Sequence, residues 1–439
     1  MDSKALTKIQ SVALIAIIIV AAVGGGIAYV LLNTNKQAWE PIRIGVCADL
    51  DAPDGKSIWQ AVTLAAEQVN AEGGVLGRNM TVIAEDDDTE TTLDISTATN
   101  ALTKLITVDK ADFIVAYMGL LAMPLQDICA QQKKLVISAF SNSIEESQRV
   151  LGNYDKYKYF FSMCPNITSV RDGNLDALLT LRNYTGFNKV AYLDQDVSAF
   201  QQFRDSLCES LTEHGFDIVY KNSATWLTTD FSSYFSAIEK SGAEILTGGI
   251  FGSACVSFVK EYYNRQSPFV VWGQIMEAQR GNFWELTEGK CQSISFAGMP
   301  TIAGYPLTNK TLEAKETYFQ RWHDTITMAG TFAYDAVRFI LPDAIVRAGT
   351  TETEAVIKTL ETTNVEAASA RHFMFTSSHG VFVGEAGPNI PSADYMLVCL
   401  FQWQNLTQVP VYPQEIMEGA GATYKYPPWQ GPWSNTQSP

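Results

Sequence analysis

Residues 42–50 read IRIGVCADL, residues 51–55 read DAPDG, and residues 69–90 read VNAEGGVLGRNMTVIAEDDDTE. Past Arg43 the first run shows no polar alternation: Ile44, Gly45, Val46, Cys47 and Ala48 run apolar into an acidic turn, as a buried parallel strand does. Trp59, Val62, Leu64, Ala65 and Val69 then recur at helical spacing. Gly73, Gly74 and Gly77 allow a sharp turn, because glycine reaches positive φ without steric cost. A second strand is expected at 80–84, before the acidic cluster at 85–90. Strand, helix, turn and strand make one βαβ unit.

The same alternation continues outward. Apolar strands are expected at 113–117, 135–138, 189–193, 218–220, 245–246 and 269–272, with helices at 124–132, 199–214, 231–241 and 253–264. Residues 309–362 read as mostly helical, and a strand pair is expected at 372–383 and 395–404. Alternating strands and helices imply parallel sheets flanked by helices, an α/β fold. At 439 residues the chain is long enough for two lobes, since single cores rarely exceed about 250–300 residues.

The net charge of −16 argues against a nucleic-acid partner, which needs a basic face. Residues 11–32 carry no charge and are long enough to cross a bilayer as a helix. Lys4 and Lys8 precede them, which places residues 1–10 in the cytoplasm. Gly24, Gly25 and Gly26 leave a cleaved signal open, but an uncleaved single-pass anchor is favoured, with a linker at 33–40 and everything beyond it extracellular. Seven widely spaced cysteines, none in a CxxC pair, would there allow one or two disulfides. Cys47, inside an apolar strand, reads instead as buried packing. Sequons begin at Asn79, Asn166, Asn183, Asn309 and Asn405.

Several chemistries are disfavoured. DAPDGKS stands where a phosphate-binding loop would, but Leu50 replaces the first glycine and Asp49, Asp51 and Asp54 would repel phosphate. Those aspartates match no EF-hand and read as a solvated cleft rim, while Asp86, Asp87 and Asp88 read as a helix cap or a lobe surface. Four histidines without HxxxH spacing make a zinc site improbable, and no metal or cofactor is expected. FGSAC around Ser253 lacks the nucleophile-elbow pattern, so Ser253 reads as an N-cap and no catalytic residue is expected.

VNAEGGVLGR, ADFIVAYMG, KKLVISAFS, FAYDAV, AIVRAG and HFMFTSSHG, in this order and spacing, resemble the type I periplasmic binding proteins, specifically the leucine/isoleucine/valine-binding receptors of ABC importers. The resemblance implies two Rossmann-like lobes joined by three crossovers near 161–165, 296–300 and 372–375. Lobe one would be 41–162 with 299–372, lobe two 163–298 with 373–418, and 419–439 a tail wrapping a surface or disordered. Ligands of open α/β sheets bind beyond the carboxyl ends of the strands. By position the family's ligand loops fall on Gly119 and Leu120, then on Phe140, Ser141 and Asn142. In lobe two they fall on Ser198 and Phe200, on Ile250 and Phe251, and on Gln274 and Glu277. Glu277 would be the partner of a ligand ammonium. The first loop lacks the family's hydroxyls, which leaves a less polar ligand open, and Ser141, Asn142 or Ser143 can cap the helix after the second loop, so Asn142 has a competing reading as a helix cap. The function implied is capture of a small molecule, an apolar amino acid such as a branched-chain one or an amide, for delivery to ABC permease subunits. The alternative is a sensory or adhesive ectodomain working with a separate membrane partner.

Overall fold

The computed structural model describes residues 40–303, 305–384 and 394–430. The expected anchor at 11–32 and the end of the tail at 431–439 lie outside the described residues, within which no helix is long and apolar enough to cross a membrane.

Strands β1 (Ile42–Ala48), β2 (Met80–Asp86), β3 (Phe113–Tyr117), β4 (Val136–Phe140) and β5 (Phe160–Ser162) form a wholly parallel sheet in the order β2-β1-β3-β4-β5. Six of the seven β1 residues are buried, which explains their unbroken apolar run: both faces of the strand are covered. On one face Ile44, Val46 and Phe113 meet Ile58, Val62 and Val69 of the helix Pro53–Ala71. On the other, Cys47 and Ile114 meet Leu102, Leu105 and Leu125. The turn into β2 needs Gly74, at φ +74°, where a Cβ would lie 2.1 Å from the Arg78 carbonyl oxygen.

A second parallel sheet joins β6 (Lys189–Gln195), β7 (Asp217–Ala224), β8 (Ile245–Thr247) and β10 (Val270–Val271) in the order β10-β8-β6-β7. After β8 comes β9 (Gly249–Ile250), then β10 (Val270–Val271) and β11 (Gln274–Ile275); β9 and β11 pair with each other in parallel. The remaining strands are β12 (Ser295–Gly298), β13 (Asn364–Val365), β14 (Phe373–Met374), β15 (Cys399–Gln404) and β16 (Thr407–Tyr412).

The strand pair expected at 372–383 and 395–404 does not form as such. β14 pairs with β13, whereas β15 lies between β12 and β16 in an antiparallel sheet, with Phe296 opposite Phe401. A single bridge, Val383 to Met396, joins the two expected partners. The third crossover also lies later than 372–375. Phe373, Phe375, Val381 and Met396 pack in the first core, and the chain enters the second only at Leu397 and Cys399. The buried His379 holds this segment to the first sheet: its ring stacks on Phe161 at 4.0 Å, and its carbonyl accepts the Ser162 N–H at 2.9 Å. The other changes of core fall between Cys164 and Ile167 and between Ala297 and Met299.

All seven cysteines are free and buried, so the expected disulfides do not form. Each is used in packing, and burial pushes the Cys129 and Cys399 thiols up to about 12. The tail crosses the second half as far as it is described: the Trp429 indole donates to the Ser267 carbonyl at 2.9 Å, and Tyr424 packs edge-on to Trp272.

Candidate functional site

The carboxyl ends of both parallel sheets open on one cavity of about 430 Å³, lined from the first half by Asp54, Glu90, Tyr117 and Phe140 and from the second by Phe251 and Glu277. This is where an α/β sheet binds ligands, because strand ends there give way to loops and helix N-termini.

Its acidic side is assembled from three loops. Asp54 follows β1 in the first turn of the helix Pro53–Ala71, Glu90 follows β2, and Glu277 lies in the 3₁₀ turn Met276–Gln279 after β11. The Gly55 N–H donates to Glu90 at 2.6 Å, Arg280 pairs with Glu277 at 3.2 Å, and the Gln279 amide reaches Asp54 at 3.4 Å. Burial raises the Asp54 carboxyl above its usual range; the charge of Glu277 adds to this, and a hydrogen bond from Thr327 and the charge of Arg280 oppose it. Glu90 is pushed well above the usual range, first by burial and then by Asp54, with Asp49 and Glu277 adding and the Gly55 N–H opposing. Asp194 also lines the cavity, but Arg204 at 3.3 Å and the Ser223 hydroxyl hold it.

The walls are aromatic. Phe200 stacks on Phe251 at 4.8 Å, Trp226 lies near-parallel to Phe251 at 6.3 Å, and Tyr117 stacks on Phe140 at 5.3 Å.

Of the residues expected from sequence, Gly119, Phe140, Asn142, Phe200, Phe251, Gln274 and Glu277 line this cavity together. Two do not. The buried Ser141 hydroxyl bonds Glu146 instead, and Ile250 packs within the second core. The side chains of Leu120 and Ser198 lie outside the described residues. Of the three expected candidates, Ser143 rather than Ser141 or Asn142 caps the helix Ile144–Gly152, and Asp94 caps the helix Ile95–Thr107 in place of Asp86, Asp87 or Asp88. Ser253 precedes the helix Ala254–Arg265 without a side-chain capping bond. Asp54 and Asp51, expected only as a solvated cleft rim, line the cavity; Glu90, Tyr117 and Trp226 were missed, although each follows the carboxyl end of a strand or completes it, which was the available signal.

Among the described residues one carboxylate group has metal-ligand spacing: Asp49, Asp86 and Asp88. Its oxygens already accept backbone N–H groups of Ala52 and Thr91, through Asp49, and of Leu50, through Asp86.

Comparison with known proteins agrees with this architecture. A family model described as "Periplasmic binding protein" matches residues 41–384. An amino acid binding protein of Pseudomonas aeruginosa is 24% identical over 225 residues, which cover 50% of this chain and 56% of that protein. A Silicibacter pomeroyi protein, provisionally described as a branched-chain amino acid ABC transporter, superposes with a TM-score of 0.76 at 18% identity, over 89% of this chain and 100% of that one. An ABC-transporter solute-binding protein of R. palustris, solved with benzoate, gives 0.68 at 13% identity, over 85% and 96%. At such identities the structures share a fold.

Proposed function

Because this chain belongs to the periplasmic binding protein family, we propose that it is an extracellular solute receptor that closes two lobes on a small molecule and delivers it to ABC permease subunits. The observation that carries this reading is the cavity between the two cores, which receives residues from both sheets. Relatives in this family bind solutes for transport rather than transform them. An apolar amino acid or an amide would place its side chain against the aromatic walls and its amino group on the acidic side. In this reading residues 11–32 anchor the chain in the cell membrane as a single span.

A ligand that contacts both halves favours the closed state by its differential affinity, and by binding only the folded form it raises the melting temperature. Small-angle scattering of the purified chain is expected to show a smaller radius of gyration with saturating ligand, found by a thermal-shift screen. Unchanged scattering curves for every stabilising ligand would count against the clamshell. For the anchor, membranes washed in high salt should retain a chain with an intact N-terminus; a mature start near Gly26 would overturn it.

A further inference from the structure

The charge of the cavity narrows the ligand class, given the receptor reading above. Five carboxylates line it, Asp51, Asp54, Glu90, Asp194 and Glu277, and among the described lining residues there is no lysine, arginine or histidine. Arg204 holds Asp194 and Arg280 holds Glu277, both from outside the lining. Among the described residues Asp54 and Glu90 have no such direct ion pair: Asp54 is met by the Gln279 amide and Thr327, with Arg280 acting from a distance, and Glu90 by the Gly55 N–H. Half-buried carboxylates that outnumber their counter-charges are costly, and a cation placed among them reduces that cost.

Among the described lining residues no charged partner awaits a carboxylate. Ser141 is turned to Glu146, and Ser143 is occupied in capping the helix Ile144–Gly152. That helix N-terminus already carries Glu145 and Glu146, and the N-terminus of Pro53–Ala71 already gives an N–H to Glu90. An anion there would meet acidic side chains of the protein itself. The stacked Phe200, Phe251 and Trp226 suit an apolar body, and aromatic faces also attract cations.

We propose that this cleft takes a small organic cation with an apolar body, an amine or quaternary ammonium, rather than an amino-acid zwitterion or a carboxylate, with its charge on Asp54, Glu90 and Glu277.

The test is calorimetric titration of the purified full chain with phenethylamine and choline, and with L-leucine and benzoate. The cations are expected to bind. Glu90→Gln, and separately Asp54→Asn, are expected to weaken that binding roughly ten- to a hundredfold. Because both carboxyls are raised, Asp54 by burial and Glu277, and Glu90 by burial, Asp54, Asp49 and Glu277, cation binding near pH 6 releases protons. Heats measured in buffers of different ionisation enthalpy read this release independently of affinity, and survive a variant that fails to fold. Binding of leucine or benzoate without binding of either amine would overturn the inference and leave the receptor reading standing. Amine binding with proton uptake, or undiminished in both folded variants, would also overturn it. Amine binding with proton release but without compaction supports the inference and counts against the clamshell.

Discussion

Glu146 lies buried behind the second ligand loop, facing the Ser141 hydroxyl, with Arg149, Glu145 and Cys164 around it. Burial pushes its carboxyl up to about 8, against the lowering effect of Ser141 and Arg149. In the unfolded chain the same group ionises near 4.3, so between that value and about 8 folding retains a proton that unfolding releases. Stability therefore falls as pH rises through that window, by up to about 1.4 kcal/mol per unit, and levels off above it. Glu146→Gln should flatten the dependence; parallel urea-unfolding stabilities of the two proteins from pH 5 to 8 would refute it. Close by, Asn142 and Ser143 separate ligand contact from capping. Ser143→Ala should cost about 0.5–2 kcal/mol of stability with ligand affinity unchanged. Asn142→Ala should do the reverse, weakening a ligand bond worth about 0.5–1.5 kcal/mol at an unchanged melting temperature. Loop position was legible here, since strand ends can be read from an apolar run. Which side chain of the loop faces the cavity was not: Ser141 is diverted by a glutamate five residues on, which no strand-end rule foresees.

Helices and parallel strands were legible because each carries its own period, and the expected ranges fall on the observed elements to within a few residues. Where partners are distant in sequence, the pattern failed. β12 and β15 pair across about a hundred residues, and nothing local in 372–383 shows that it is pinned to β5 by His379. Within the stretch read as mostly helical, the chain runs as Met328–Asp335, a π turn at Ala336–Ile340 and Leu341–Ala348. Pro342 has no N–H for the Arg338 carbonyl four residues back, and the widened turn absorbs the missing bond. The first part of this helix lies tightly against Pro53–Ala71. A Cβ on Gly330 would come within 2.1 Å of the Ser57 hydroxyl oxygen, and Ser57 is fixed by the Thr327 N–H and the Tyr318 hydroxyl, each at 3.1 Å. Gly330→Ala must therefore push the two helices apart, at about 1–3 kcal/mol for an overpacked core. Equilibrium unfolding would show it as a lowered midpoint; an unchanged or raised midpoint would mean that the helices have slack there.

At the scale of the whole molecule, Gln279 couples the ligand cleft to the relation of the two halves. It follows the second core at Ala278, its carbonyl oxygen accepts the Gln408 amide at 2.9 Å, and it is buried. Its side chain reaches the first half. The amide oxygen accepts the Met328 N–H at 2.9 Å, and the amide nitrogen approaches Asp54 at 3.4 Å. Opening the cleft breaks both contacts, so they favour the closed arrangement, whereas Asp54 and Glu90 facing Glu277 oppose it until a ligand lies between them. Gln279→Ala removes the favourable side of that balance. Two hydrogen bonds at about 0.5–1.5 kcal/mol each are together worth about 1–3 kcal/mol, or roughly five- to 150-fold in the closed-to-open ratio. If the closed state is the binding-competent one, apparent affinity falls by up to that factor, in proportion to the closed fraction. The ligand-free variant should scatter as a more open particle than the parent, and both should reach the same radius of gyration at saturation. A variant that binds as tightly as the parent and scatters identically without ligand would show that Gln279 holds only its own loop.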